Sequence, residues 1–526
     1  MAEEKYKKLE KQQYIVPELT EENIKMMESF FNEKKNKTNN LQYLTMAKSI
    51  TRNYIYNIIY QVLSLVVPLV LTPYLGRVLG ADGIGEFSYA SSIVAFFIIF
   101  ASLGTGTYGQ REISFHQDDR SKCSEIFWNV KTLGFITSFI ALCMYIVFVY
   151  FRCQNKIICL IYGISILNVM VDISWFFQGL EEFGRIIGRN ILIRITNILF
   201  IFIFINSKDD VNLYAFGICL FDFLASCSLW FFLPKFINKP YIKKIRPFTD
   251  FPIILSLFVP SIAISIYTVL DKAMIGFFTN TSFENGYYEQ AVRISKMLVT
   301  LATSLAPVML PRIGYHVEKK EFDIVKKYMY KSYKFVLFLA WPMFFGLYVI
   351  APYFVVWFYG EGFEPVVPLL RILAGLLFAI GINYATGIQY LIPSKQQNLF
   401  TLSVIIGAIT NFVLNLLLIP RYYAAGAAIA SVIAEAVIAL VQFYFVRKEI
   451  SIFKVIICGW KYAISSILMF FALYFVSQFF VHNFINTFIL IAIGAAIYLL
   501  ILIIIRDSFF LEIINKIKTR IFVRKG

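Results

Sequence analysis

Five charged residues lie in two neighbouring apolar stretches of the sequence. Asp271 and Lys272 are adjacent in YTVLDKAMIGFF, and Glu289, Arg293 and Lys296 follow in the next stretch. Glu289 and Arg293 are four residues apart, so they share one face of a helix. A charge at the centre of a membrane costs about 2.5–3.5 kcal/mol, which marks such residues as functional candidates. If the two stretches are antiparallel membrane helices, the five groups lie at comparable depth. We therefore predict one polar cluster facing a cavity.

Two interpretations of this cluster stay open. The charges form an ion-pair network that holds two helices together, or they form a polar wall that contacts a ligand carrying hydroxyl or phosphate groups. The bases favour an anion, because guanidinium forks match phosphate oxygens. The interpretations overlap, since the acids can orient the bases. Ser92 and Ala95 occupy the positions 201 residues before Arg293 and Lys296, so the charge is not a requirement of the internal repeat described below.

Three further arginines are candidates for binding an anion. Arg194 and Arg371 lie inside apolar stretches, where each could contact phosphate, pair locally or extend to the membrane surface. Arg52 lies at the start of the first stretch and could bind an anionic head group, although anchoring at the membrane surface explains it equally well.

Carboxylates and one aromatic segment supply the remaining candidates. A buried carboxylate can exchange a proton or bind sodium, so an unidentified coupling ion is the only cofactor that we consider. The carboxylates that could hold it are Asp172, Asp222, Asp271 and Glu435. Trp175 and Gln178 could stack on and hydrogen-bond a sugar ring, although aromatic residues at the ends of spans also form interfacial belts.

The composition is that of an all-α polytopic membrane protein. Hydrophobic residues make up 59% of the 526 residues and charged residues 16%, against about 25% in soluble domains. The seven cysteines contain no CxxC and the three histidines are far apart, so no metal site is predicted. No nucleotide-binding glycine loop is present. Nucleic-acid binding is a poor explanation of the +16 net charge, which loop bias and attraction to anionic lipid explain.

Apolar runs of about 20 residues, the length that spans a bilayer as a helix, recur fourteen times. The predicted spans are 52–75, 86–109, 126–151, 156–178, 186–206, 211–233, 253–279, 286–311, 333–357, 366–392, 398–419, 424–446, 455–480 and 484–505. Lys and Arg are concentrated in alternate loops, so these loops and both termini are predicted to be cytoplasmic, with a polar cytoplasmic tail at 1–46.

A weak internal repeat divides the chain. Shifting the sequence by 201 residues places GEFSYASSI, from Gly85, over GYYEQAVRI, from Gly286, and a shift of 213 places Asp222 over Glu435. An even number of spans gives both units the same orientation, so we predict two parallel six-helix lobes with a cavity between them. The predicted units are a first lobe at 47–235, a basic cytoplasmic linker at 236–252, a second lobe at 253–448, and two last helices with a basic cytoplasmic tail at 449–526.

The stretch RNYIYNIIYQVLSLVVPLVLTPYLGRVLGADGIGEFSYA, residues 52–90, resembles the opening of Wzx-type polysaccharide flippases. DISWFFQGLEEF at 172–183, LDKAMIGFFT at 270–279 and YYEQAVRI at 287–294 resemble later landmarks of that family. Its superfamily also contains MATE drug exporters and lipid II flippases. The polar N-terminal extension departs from the family pattern.

The resemblance implies a plasma-membrane flippase that is not an enzyme. Such a protein moves an undecaprenyl-pyrophosphate-linked oligosaccharide from the inner to the outer leaflet by alternating access, with the lipid bilayer and polysaccharide assembly proteins as its other partners. The last two spans would provide a groove for the polyprenyl tail.

Two rival functions stay open. A MATE-like cation-coupled drug exporter shares the helix plan, but its cationic cargo favours a cavity of acids and aromatics. A membrane polysaccharide polymerase or ligase needs room for catalytic groups at the outer face, where the predicted loops are short.

Overall fold

A computed structural model describes residues 39–153, 155–239, 245–279, 281–512 and 514–515. Side chains are described from Val67 onward, except at some positions within 183–187 and 256–268. The predicted tail at 1–46 therefore lies almost wholly outside the described residues, as does part of the 236–252 linker. Within the described part, the regular elements are helices. This agrees with a membrane setting, where each backbone polar group needs a partner inside the protein.

Sixteen α-helices form the described fold. The first eight are α1 Asn39–Ser102, α2 Thr105–Phe115, α3 Arg120–Arg152, α4 Lys156–Val171, α5 Ser174–Gly179, α6 Phe183–Phe204, α7 Val211–Leu229 and α8 Phe251–Phe278. The others are α9 Phe283–Thr303, α10 Ala306–Glu318, α11 Phe322–Tyr359, α12 Val366–Leu373, α13 Leu376–Asn383, α14 Gln397–Val446, α15 Ile452–Ser477 and α16 Phe484–Ile504. A π-helical segment, Tyr384–Leu391, continues from α13.

Ten helical segments of the described part are long and apolar enough to cross a membrane. Their outer surface carries many exposed large apolar side chains, among them Phe100, Phe231 and Ile504. A soluble protein rarely exposes apolar patches of this extent, whereas a lipid-facing surface requires them. The prediction of an all-helical multi-pass membrane protein is confirmed.

Two of the longest helices contain a break. The backbone of α1 departs from helical geometry at Gly80, where φ is 68°, and that of α14 departs at Tyr423, where φ is 52°. Glycine adopts positive φ without a steric penalty, which explains the first break. Pro420 lies just before the second break and removes one backbone donor. A further break separates α1 from α2 at Leu103 and Gly104, both with positive φ.

Two glycines allow α1 and α9 to touch through their backbones. A Cβ atom built at Gly85 would overlap the carbonyl oxygen of Ser282, and one at Gly286 would overlap that of Ala81. No larger residue fits at this approach without moving a helix. The contact places the side chains of the following turns of α1 and α9 opposite one another, where the charged residues lie.

Candidate functional site

Glu289 of α9 is the centre of a charged cluster between α1, α8 and α9. Its carboxylate forms ion pairs with Lys272 of α8 and with Arg293, whose Nη2 lies 3.1 Å from Oε1. The hydroxyl of Ser88 in α1 donates to Oε2 at 3.2 Å. The carboxylate is therefore shared by three helices, and it holds both bases in place.

Arg293 connects the same helices a second time. Its Nη1 donates to the hydroxyl of Thr72 in α1 at 3.0 Å, and Thr72 is buried. Two of the five guanidinium donors thus have acceptors among the described side chains, which fixes the plane of the group. A guanidinium held in this way can still offer donors to an anion in a bidentate geometry.

A polar stripe continues along α9 from the cluster. Glu289, Arg293, Lys296 and Thr300 recur at helical spacing, and Lys296 and Thr300 are exposed. Lys296 lies close enough to Lys272 and Glu289 to interact electrostatically with both. Lys272 of α8 adds a third base beside the one carboxylate, and we include it in the stripe. Lys272, Glu289, Arg293 and Lys296 together carry a net charge of +2. This charge favours an anionic ligand.

Asp271 takes part in none of these ion pairs, although it interacts electrostatically with Lys296. Adjacent residues on a helix point about 100° apart, so Asp271 and Lys272 face different neighbours. Asp271 is buried and accepts hydrogen bonds from Tyr288 at 2.5 Å, Asn415 at 2.6 Å and Ser431 at 2.5 Å. The four ion-paired or neighbouring groups, Lys272, Glu289, Arg293 and Lys296, carry a net charge of +2, and the five predicted residues together carry +1.

The surroundings of Asp271 are rich in oxygen atoms. Asn415 also donates to Asn411 at 3.0 Å, and Tyr288 lies 3.1 Å from Ser431. The side-chain oxygen of Asn415 has no hydrogen-bond partner among the described residues. A buried carboxylate beside amide and hydroxyl oxygens offers the kind of ligands that a monovalent cation takes. The described residues contain no group of three or more His, Cys, Asp or Glu side chains suited to a metal ion.

Glu435 lies one turn from Ser431 on α14. It is buried, and its carboxylate accepts a hydrogen bond from the side chain of Asn383 at 2.5 Å. Asn383 ends α13 where the π-helical segment begins, and such segments are frequent at functional sites. The second buried carboxylate of this region thus has a neutral partner, which leaves it able to exchange a proton.

A separate polar cavity of about 450 Å³ lies between α1, α4, α6 and α7. We call it the amide cavity. Its charged and amide side chains include Asn168, Asp172, Arg189, Arg194, Asn197 and Asp222. Three of the predicted site residues therefore share one cavity. Asp172 follows the last residue of α4, and its carboxylate accepts from the backbone N–H and hydroxyl of Ser174, the first residue of α5, at 3.1 and 2.7 Å.

The sequence matches the family model described as "Polysaccharide biosynthesis protein" over residues 50–316, just over half of the 526-residue chain. The chain belongs to this polysaccharide biosynthesis protein family. The resemblance inferred from residues 52–90 and the later landmarks is confirmed.

Two relatives and one solved structure are also similar to this chain. The chain is 24% identical over 434 residues to the "Putative O-antigen transporter" of Escherichia coli (strain K12), covering 79% of this chain and 100% of the relative. It is 27% identical over 264 residues to the "Probable low-salt glycan biosynthesis flippase Agl15" of Haloferax volcanii, covering 49% of this chain and 55% of that protein. Among solved structures, the lipid II flippase MurJ in an inward closed conformation superposes with a TM-score of 0.67 at 19% sequence identity. The superposition covers 86% of this chain and 99% of the MurJ chain. This likeness shows the fold.

Two predicted site residues of this polysaccharide biosynthesis protein lie away from both the stripe and the amide cavity. Arg371 pairs locally, because its Nε donates to the backbone carbonyl of Tyr348 at 3.0 Å and its guanidinium lies 4.4 Å from that ring. Trp175 is buried against Phe127, with ring centroids 5.6 Å apart. A Cβ atom at Gly109 would overlap the indole of Trp175, so the ring lies in the core and is not open to a sugar.

Two further predictions cannot be placed in a site. Gln178 is half-buried near the end of α5, and it does not line the amide cavity. The side chain of Arg52 lies outside the described residues.

Sequence reasoning missed several residues that complete these sites. Ser88 lies 201 residues before Glu289, so the repeat register could have indicated it. Lys131 is a buried cation that donates to the backbone carbonyl of Asp172 at 2.9 Å. Neutral partners such as Thr72 and Asn415 could not be identified from the sequence, because an uncharged polar residue in an apolar stretch does not stand out.

Proposed function

We propose that the protein is an alternating-access flippase that moves an undecaprenyl-pyrophosphate-linked oligosaccharide from the inner to the outer leaflet of the plasma membrane. The observation that carries this proposal is the stripe of net charge +2 between α1, α8 and α9, in a member of the polysaccharide biosynthesis family. The relatives are named as a transporter and a flippase, which supports transport over an enzymatic activity. The same charge disfavours a cationic drug as the cargo.

The proposed architecture has fourteen crossings. Two of the ten candidate spans contain a break, at Gly80 and Tyr423. The helices that carry these breaks, α1 with 64 residues and α14 with 50, are each long enough for two crossings. The helices Phe183–Phe204 and Phe251–Phe278 supply two more, with 22 and 28 mostly apolar residues. Six crossings then belong to each lobe, and α15 and α16 follow the second.

The contact between α1 and α9 supports the two-lobe division. Gly85 meets Ser282, while Gly286 meets Ala81, and both pairs are related by the shift of 201 residues. Reciprocal contacts between equivalent positions are what a two-fold axis produces. The break at Leu103 likewise corresponds to the end of α9 near Ser304. We propose that the axis runs along the membrane normal and passes near the glycine pair.

The proposed orientation places both termini in the cytoplasm. The connection between α8 and α9 would then be external, and the apposed glycines would close the cavity at its outer end. Outward opening requires α1 to separate from α9, with loss of the Ser88–Glu289 and Thr72–Arg293 hydrogen bonds. Rocking of two lobes about a site between them is the usual form of this transition.

Transport direction has two candidate sources. The pyrophosphate carries negative charge outward across a membrane that is negative inside, and each charge gains about 2.3 kcal/mol per 100 mV. A proton or sodium ion bound at a buried carboxylate is the alternative. The burial of Asp271 and Glu435 supports these two over Asp172 and Asp222, which are less buried.

A deletion strain tests the function. Loss of the gene should remove surface polysaccharide and leave the lipid-linked oligosaccharide in the inner leaflet, and the intact gene should reverse both effects. Unchanged surface polysaccharide together with increased sensitivity to cationic drugs would reject the flippase and support drug export.

A further inference from the structure

We infer that the amide cavity is a subsite for a neutral sugar ring of the head group, beside the anion-binding stripe. This inference rests on the proposed flippase function and adds a second subsite to it. The cavity volume of about 450 Å³ lies in the range of about 300–1,000 Å³ typical of pockets for small organic ligands.

Unpaired amide oxygens are the first argument. The side-chain oxygens of Asn168 in α4 and Asn197 in α6 are buried and have no hydrogen-bond partner among the described residues. A buried acceptor without a donor costs about 1–3 kcal/mol, so a structure retains it where a ligand or water supplies the donor. The hydroxyl and N-acetyl groups of a sugar are donors of this kind. Both asparagines line the same cavity, and rotation of each side-chain amide would turn its unpaired oxygen toward a ligand rich in donors.

The charge of the cavity is the second argument. Asp222 interacts electrostatically with Arg189 and Arg194, and Asp172 adds a second carboxylate, so the charges cancel. The guanidinium of Arg189 is also held by the side-chain oxygen of Asn190, at 2.9 and 3.1 Å. Two arginines and two aspartates of equal and opposite charge do not attract an anion as the stripe does. They do offer hydrogen-bond donors and acceptors to a neutral polyhydroxyl ligand. The apolar wall, including Ile193 and Ile218, suits the C–H faces of a sugar.

The third argument is that the amide cavity adjoins the stripe. Leu71 lines the cavity, and the next residue, Thr72, accepts the hydrogen bond from Arg293. Tyr214 also lines the cavity and interacts electrostatically with Arg293 and Glu289. One wall of each subsite is therefore shared. A sugar joined directly to pyrophosphate could enter the amide cavity while its phosphates contact the stripe.

The test compares the binding of lipids with and without a sugar to the purified full chain in nanodiscs. The probes are bare undecaprenyl pyrophosphate and the same lipid carrying a hexose, an N-acetylhexosamine or a hexuronic acid. We expect at least one neutral sugar to raise the affinity. Asn197→Leu should lower the affinity for that lipid about tenfold and leave the bare lipid within about twofold, as loss of a hydrogen bond to ligand predicts.

Two further variants separate loss of the subsite from misfolding of the protein. Ala225→Leu fills the same cavity from α7 and should give the same selective loss. Ile195→Phe changes an exposed side chain of α6 and should bind all probes as the wild type does. Each variant is first checked for a monodisperse size-exclusion profile.

The outcomes separate the two proposals. If sugars give no gain, or if Asn197→Leu weakens the bare and the glycosylated lipids equally, the sugar subsite is wrong. In that case, binding of the bare lipid that depends on Arg293 leaves the flippase proposal standing. If the wild type binds none of the four lipids, both proposals fail.

Discussion

Gly286→Ala should block the conformation in which α1 and α9 touch. The added Cβ would overlap the carbonyl oxygen of Ala81, and the helices must move apart by about 1 Å before this contact reaches 3.0 Å. Overpacking of a closed contact costs about 1–3 kcal/mol, which corresponds to a shift of about 5- to 150-fold between two conformations. The hydrogen bond from Ser88 to Glu289, already 3.2 Å long, would be lost first.

The assay for this variant measures a distance and a rate. Spin labels at Asp82 and Thr281, both exposed beside the contact, report the separation of α1 and α9 in a cysteine-free protein. Gly286→Ala should lengthen this distance and slow lipid translocation in vesicles. Gly346→Ala is the matched control, because a Cβ there meets no atom within 4 Å. Wild-type distances and rates in Gly286→Ala would refute the argument that the glycine contact belongs to the transport cycle.

Three further predictions test the site, the topology and the driving force. Arg293→Ala should reduce surface polysaccharide about tenfold or more at equal protein level, since it removes a charge-assisted contact of about 1.5–3 kcal/mol, whereas Ser92→Ala at the matching repeat position should have little effect. Arg293→Lys should recover part of the loss if charge alone matters and little if a bidentate fork matters. A cysteine at Asp323, which is exposed, should resist an impermeant thiol reagent in intact cells, and strong labelling would overturn the proposed orientation. Translocation in vesicles should follow an imposed potential. If it follows only a proton or sodium gradient, and Asp271→Asn or Glu435→Gln removes that response, the carboxylates drive transport instead.

The sequence was sufficient to predict the helical membrane fold and part of the stripe. Long apolar runs force helices, and the spacing of Glu289 and Arg293 places them on one face whatever the rest of the chain does. Their proximity to Lys272 followed from two consecutive helices joined by a short loop. These inferences use local spacing and neighbouring elements, so they did not depend on long-range packing.

Long-range contacts were not predictable from one sequence. Two of the three partners of Asp271 are 144 and 160 residues away on α14, and the rotation of α8 that points Asp271 toward them is set by packing. The burial of Trp175 was not predictable for a similar reason, because the sequence does not distinguish an aromatic ring packed in the core from one that lines a cavity. Arg371 donates to the backbone carbonyl of Tyr348, and the apolar sequence around Arg371 does not indicate this partner.

Direct measurement of lipid translocation tests the central claim. Vesicles containing the purified protein are loaded in both leaflets with a fluorescent undecaprenyl-pyrophosphate-linked oligosaccharide, and the dye in the outer leaflet is quenched from outside with time. The wild-type protein should bring the protected lipid to the quencher much faster than empty vesicles do, and Arg293→Ala should slow this exchange about tenfold or more. Exchange equal to that of empty vesicles, with folded protein in the membrane, would contradict the proposal that this chain flips the lipid.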